Sequence, residues 1–265
     1  MIYNDAALDL FCNKYAKDLI LCCYGNEAEN YAEDFEFKEF HIKKYHNNIL
    51  ANKEHIENKK ILEIGSNSGL WAILMLLNGA THVTCVEPRP QLCKGLTQFC
   101  ELHNFPITVI NSTHKYIYTT TERFDTTLLM GVDDLIPDIM SFLNTLCNVS
   151  NRLILKTKNH NDIVQDNCAK LNLENNLALR DGININTDIS KLSDYGEQTT
   201  IEDFVNNPSL GRFVRYYYGK NYFDTLFDYL ECKVENFYMY NNEALSLDPK
   251  DDTFKVYSVN LRQQV

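Results

Sequence analysis

The apolar positions of this chain change period near residue 60, and that change divides it. Through residues 5–59 they recur at spacings of three, four or seven. In NYAEDFEFKEFHIKKYHNNIL, Tyr31, Phe35, Ile42, Tyr45 and Ile49 fall on one helix face. KKILEIG then reads as a short apolar run ending at glycine, the pattern of a strand buried on both faces. SGLWAILMLLNGA resumes as a helix and stops at Asn78-Gly79. The alternation continues with HVTCVE as strand, QLCKGLTQFCELHN as helix, and ITVIN and FDTTLLM as strands across a polar loop. IPDIMSFLNTLCNVS predicts a helix and RLILKTK a strand; YFDTLFDYLECK is an amphipathic helix. KVENFYMYN and DTFKVYSVNLR follow as an antiparallel hairpin at the sheet edge.

Strands alternating with helices at this spacing imply right-handed crossovers and a parallel sheet covered on both faces. The expected fold is therefore α/β: a three-layer α/β/α sandwich with a mostly parallel seven-stranded sheet and a C-terminal antiparallel β-hairpin. Residues 1–57 form a helical N-terminal extension and residues 58–265 the main domain. The rhythm breaks at about 160–212, rich in Asn and Asp, where GININTDI alternates and TTIEDFV carries a capping box from Thr199 to Glu202. This segment reads as an insertion or lid over the functional edge of the sheet, or as a decoration without a role.

Composition narrows the class. An apolar fraction of 45% and 12% aromatics supply a core and exclude a disordered chain. The net charge of −11 opposes wholesale binding of nucleic acid, though a local basic patch is compatible with it. Nine cysteines without any C-x-x-C pair fit neither a zinc ribbon nor a secreted disulfide framework, and no metal site is expected. MIYNDAALDLF lacks the basic-then-apolar order of a signal peptide, and no apolar run reaches membrane-spanning length. A cytoplasmic protein with reduced thiols is expected.

The candidate chemistry lies in ILEIGSNSGLWAILMLLNGATHVTCVEPRP. A glycine after a buried strand lets the chain turn sharply and lets a ligand approach the backbone, while the next helix offers free N–H groups. Gly65-Ser66-Asn67-Ser68-Gly69 is one glycine short of the dinucleotide pattern, and no Gly-Lys-Ser/Thr follows to make a P-loop. Glu63 at the strand end suits a cationic ligand rather than a phosphate. An ordinary tight strand-to-helix turn is the competing account of the two glycines.

LEIGSNSG resembles motif I of the class I S-adenosylmethionine-dependent methyltransferases: an acid, an apolar residue, Gly, three residues, Gly. VTCVEP puts Glu87 where that family carries its second acid, at the end of the next strand. The resemblance covers residues 58–158 and extends to the terminal helix and hairpin, making 58–265 a methyltransferase domain. It implies S-adenosyl-L-methionine as cofactor and S-adenosyl-L-homocysteine as product. Gly65 and Gly69, with Ser66 and Asn67 between them, would admit the methionine portion, and Glu63 would orient its ammonium group. Glu87 would hold the ribose hydroxyls, Asn111 and Ser112 would meet the adenine amino group, and Met130 would complete the set at the end of the fourth strand.

The acceptor is then expected beyond that strand, at LLMGVDDLIPD. The family's Asn/Asp-Pro-Pro-Tyr motif for nucleobase amines is absent there, and the chain has no Pro-Cys for cytosine C5 chemistry. Lys156 matches one lysine of the ribose 2′-O-methyltransferase tetrad, but Met130 stands where its aspartate belongs. These departures favour a small-molecule acceptor. MGVDDLIPDIMSFLNTLCNVSNRLILKT also resembles a branch that holds small-molecule enzymes and a tRNA wobble-uridine carboxymethyltransferase. Asp133 and His160 are candidate general bases and Asp134 a substrate ligand. Asp133 and Asp134 equally suit capping a helix that begins near Ile136, and a loop histidine equally suits plain solvation. In GRFVRYYYGKNYF, Arg212, Arg215, Tyr216 and Lys220 suit a ring bearing an anionic group, or else helix packing. Three functions stay open: methyl transfer to a small polar acceptor such as a sugar or carboxylate, tRNA modification, and a non-catalytic cofactor-binding module.

Overall fold

The computed structural model describes residues 6–25, 39–136, 138–158, 184–187, 214–217, 222–240, 245–246 and 254–261. Tyr31, Phe35, the Thr199–Glu202 box, His160, Arg212 and Lys220 lie outside the described residues. The helices are α1 (Ala6–Leu10), α2 (Ala16–Tyr24), α3 (Glu39–Ala51), α4 (Leu70–Leu77), α5 (Pro90–His103), α6 (Ile139–Val149) and α7 (Tyr222–Tyr229). The strands are β1 (Lys60–Ile64), β2 (His82–Glu87), β3 (Ile107–Asn111), β4 (Thr126–Met130), β5 (Arg152–Lys158), β6 (Asn184–Thr187), β7 (Val214–Tyr217), β8 (Lys233–Tyr240), β9 (Leu245–Ser246) and β10 (Phe254–Asn260). The main sheet runs β3-β2-β1-β4-β5-β10-β8-β9. It holds the expected mostly parallel strands and C-terminal antiparallel hairpin, with the two-residue β9 added at the edge. β6 and β7 form a separate two-stranded sheet. No described helix is long and apolar enough to cross a membrane.

By contacts the chain resolves into two compact units: Met1–Leu128 with Asn148–Leu153, and Leu129–Cys147 with Ile154–Val265. In the first, β1 pairs in parallel with β2, and β2 with β3. Ile61, Leu62, Val83 and Val86 are fully buried, as a strand covered on both faces requires. Leu70 through Met75 in α4 are buried all round, so this helix is a core element rather than an amphipathic one.

The N-terminal residues join that core. α1 and α2 are linked by a π-helical turn, Phe11–Tyr15, whose flanking residues keep helical dihedrals. Tyr15 meets Phe105, His103 and Phe99 edge-on at 5.1, 5.2 and 6.3 Å, and His103 Nε2 lies 3.0 Å from Asp18 Oδ2. α2 crosses α5 at Gly95, where an added Cβ would meet Cys22 O and Cys23 Cα at 2.5 Å. Only glycine permits that approach of two backbones.

In the second unit, Ile139, Phe142, Leu143 and Leu146 form the buried stripe of α6. Phe223 and Phe227 of α7 pack on the Tyr257 ring at 6.2 and 5.4 Å. β8 and β10 pair antiparallel with a register shift at Ser258/Val259. One expectation is corrected here. The basic-aromatic segment, whose structural alternative was helix packing, contains strand β7, with Arg215 opposite Asn186 and Tyr216 opposite Ile185.

Candidate functional site

β1 ends at Ile64 and the chain turns back through Gly65 to Gly69 before α4 begins. The turn needs left-handed residues: φ is 76° at Gly65, 53° at Asn67 and 86° at Gly69. Asn67 tolerates that region better than most residues because its short polar side chain can bond locally. Val86 O ties the loop down, accepting from the Gly65 N–H at 2.8 Å and the Ser66 N–H at 3.1 Å. Gly69 has a further reason to be glycine. A Cβ there would come within 2.5 Å of Leu96 Cδ1, so the residue lets α5 close against the loop. Helix α4 starts without a side-chain cap from Gly69, leaving the first-turn N–H groups to other partners.

The two acids share a face. Glu63 is paired with Cys85, and residues paired across parallel strands project to the same side. Cys85 and Glu87 are two apart on β2, so Glu87 projects there too, and so does its partner Asn111 on β3. Glu63 and Glu87 are each 2% exposed. The Cys85 thiol donates to Glu63 Oε2 at 3.7 Å, and burial first, then the Glu63 charge, pushes that thiol well above its ordinary range. Cys85 is therefore a neutral donor, not a nucleophile.

Glu87 is held on both oxygens. Its Oε2 accepts from the Asn67 N–H at 2.9 Å, while Oε1 accepts from Arg89 Nε at 2.6 Å and the Arg89 backbone N–H at 3.1 Å. Arg89 Nη2 donates to Asn67 Oδ1 at 2.7 Å. The sequence reading missed Arg89, although a cation two residues after the acid was visible in VEPRP. Asn111 Nδ2 donates to Glu87 O and Pro88 O, both at 3.0 Å, and the Ser112 N–H donates to Glu87 O at 3.2 Å. The amide nitrogen of Asn111 thus braces the turn after β2, and its carbonyl is the end left for an amino group. Ser66 and Ser68 are buried, and the Ser68 hydroxyl finds no hydrogen-bond partner among the described residues.

The N-terminal helix reaches this loop. Cys23 Sγ lies 3.8 Å from Ser68 O, and Gln91 Nε2 donates to Cys23 O at 3.5 Å. An open hollow of about 510 Å3 also exists in this unit, lined by Thr97, Cys100, Glu101, Phe105 and Val109 among others, but Glu63, Glu87 and residues 65–69 do not border it.

The remaining candidates lie in the second unit. Met130 ends β4 and is half-buried. Asp133 is 3% exposed in a single 3-10 turn, Asp133–Leu135, and its Oδ2 accepts from Thr157 Oγ1 at 2.6 Å. The helix-cap alternative for Asp133 and Asp134 is corrected. α6 starts at Ile139, and the Ser141 N–H bonds Asp138 Oδ1 at 3.0 Å. Asp138 directly before the first apolar-periodic residue was the available signal. Backbone and side-chain hydrogen bonds from Ser141 hold the Asp138 carboxyl below its usual range.

No protein-family model matches this chain, and no curated protein matches it in sequence. Solved structures match its fold. An S-adenosylmethionine-dependent methyltransferase from Clostridium acetobutylicum superposes with a TM-score of 0.59 at 10% identity, over 91% of this chain and 100% of that one. The PH0226 protein from Pyrococcus horikoshii gives 0.55 at 11% identity, over 88% and 98%. The N-terminal domain of EvdMO1 with SAH bound gives 0.52 at 12% identity, over 89% and 84%. The chain has the α/β Rossmann-like fold that these structures share.

Proposed function

We propose that this protein is an S-adenosylmethionine-dependent methyltransferase acting on a small polar acceptor, a sugar hydroxyl or a carboxylate. The observation that carries the reading is the shared face of Glu63 and Glu87 beside a left-handed glycine bend, at the carboxyl ends of β1 and β2. Open α/β sheets bind ligands outside those ends, near the point where strand order reverses, and here the order turns at β1. The SAH held by the EvdMO1 domain, which shares the fold, agrees with it.

The residues present fit such a ligand. Glu63 is a buried acceptor suited to an ammonium group. Glu87 is a second acceptor suited to a vicinal diol, and the Asn111 carbonyl one suited to an amino group. The bound sulfonium would supply an already activated methyl carbon. The protein's task is then to hold the acceptor in line and exclude water, an orientation effect worth several orders of magnitude in rate. A hydroxyl acceptor must also lose a proton. Asp133, a buried carboxylate whose Oδ2 accepts from Thr157 Oγ1 at 2.6 Å, is our candidate for that base. Met130, Asp134, Arg212, Arg215 and Tyr216 remain candidates for the surroundings of cofactor and acceptor. Isothermal titration with S-adenosylhomocysteine tests the reading. Saturable heat is expected, and none at millimolar ligand overturns it.

A further inference from the structure

Lone-pair counting at Glu87 gives a result that the proposed function alone does not contain. A carboxylate oxygen accepts about two hydrogen bonds. Oε1 already accepts two, both from Arg89, through the backbone N–H at 3.1 Å and Nε at 2.6 Å. Oε2 accepts the Asn67 N–H at 2.9 Å and has one place left. A vicinal diol needs one acceptor site on each oxygen. With the guanidinium in place, only one hydroxyl can be served. Withdrawing the Arg89 side chain alone, with its backbone N–H kept, frees one site on Oε1 and makes the carboxylate fit for both.

We propose that Arg89 is a latch on the nucleoside site, whose guanidinium occupies Glu87 in the ligand-free protein and is exchanged for a ribose diol on binding. The latch spans two elements, because Nη2 also donates to Asn67 Oδ1 at 2.7 Å across the glycine bend. Opening it removes one hydrogen bond from Glu87 Oε1 and one from Asn67 Oδ1. The arginine is the more accessible of the two partners. It is 30% exposed, whereas the Glu87 side chain is 3% exposed and fixed at the end of a core strand. The cost of opening is set by a charge-assisted bond to a buried carboxylate, reduced by the partial solvation of the arginine. On that basis the latch lowers ligand affinity by roughly tenfold.

The inference rests on the nucleoside reading of the site, and the test separates the two. Titrations with S-adenosylhomocysteine, adenosine and 2′,3′-dideoxyadenosine are made on the wild type, Arg89→Met and Arg89→Lys, with thermal unfolding to confirm that each variant folds. Arg89→Met should bind S-adenosylhomocysteine and adenosine roughly tenfold tighter than the wild type. Arg89→Lys should fall between them, and the dideoxynucleoside should bind all three equally. Equal or weaker binding of both diol ligands to Arg89→Met, beside clear binding to the wild type, overturns the latch and leaves the proposed function standing. An equal gain for the dideoxynucleoside also overturns it, because the effect would then not pass through the diol. Absence of binding to every form removes both.

Discussion

Gly95→Ala sets two effects of opposite sign against each other. Within a helix, alanine is favoured over glycine by about 1 kcal/mol, so propensity alone predicts a more stable protein. Geometry predicts the reverse. The new methyl would sit 2.5 Å from Cys22 O and from Cys23 Cα, and 2.8 Å from Cys22 C, all backbone atoms that no rotamer change can move aside. Restoring ordinary contact requires α2 to retreat by about 1 Å, and overpacking of that kind costs about 1–3 kcal/mol. α2 will not simply detach, because Leu19 and Cys23 are buried and Phe11 and Tyr15 anchor the preceding turn. Subtracting the propensity gain leaves a net loss of up to about 2 kcal/mol. The retreat also draws Cys23 away from Ser68 O and from Gln91, so S-adenosylhomocysteine affinity should fall with stability. Urea unfolding followed by the fluorescence of the single tryptophan, Trp71, which lies 4.5 Å from the Tyr45 ring, reads the first effect, and titration reads the second. A variant more stable than the wild type would show that α2 and α5 are not in backbone contact and would refute the reasoning.

Two further outcomes follow from titrating groups. Burial, and then the Lys115 charge, holds His114 below the ordinary 6.5, and burial does the same at His82 with help from Lys60 against Glu122. The unfolded chain therefore binds protons first as pH falls, so the urea midpoint should be flat above 6.5 and drop below it, with His114→Gln flattening the drop. A midpoint that rises on acidification would contradict this. In the second unit, a hydrogen bond from Cys232 brings the half-buried Cys147 thiol down to about 7, while Cys232 is pushed up. Iodoacetamide at neutral pH should label Cys147 ahead of the buried thiols, and Cys232→Ala should slow that labelling; peptide mass mapping reads both.

Much of the fold was legible because parallel strands buried on both faces are contiguous apolar runs. HVTCVE, ITVIN and RLILKTK are β2, β3 and β5 residue for residue. What the sequence could not display is anything fixed by a distant neighbour. Glycine at 69 answers to the Leu96 side chain as well as to its own left-handed turn, and at 95 to the backbone of Cys22 and Cys23. Glu87 was legible as an acid at a strand end, but not the arginine folded back onto it. VRYY fits a strand or a helix equally on local pattern, and pairing with β6 decided it. Asp138, which caps α6 through the Ser141 N–H, was a missed local signal.

Register carries the argument about ligand size further than either acid does alone. Glu63 sits opposite Cys85, so Glu87 lies two residues further along the sheet and one strand across. At about 3.3 Å per residue and 4.8 Å between strands, the two positions are about 8 Å apart on one face. A compact group such as a single phosphate cannot engage both, and a carboxylate pair would repel it. A ligand that serves both acids must be extended, with hydrogen-bond donors at two separated places and a positive charge near the deeper one. A one-residue slip between β1 and β2 would turn one acid to the opposite side of the sheet and leave no such ligand. The two-sided burial that holds β2 against β1 therefore also holds the spacing on which recognition depends, so charge placed at Val83 or Val86, both fully buried, should abolish nucleoside binding together with the fold.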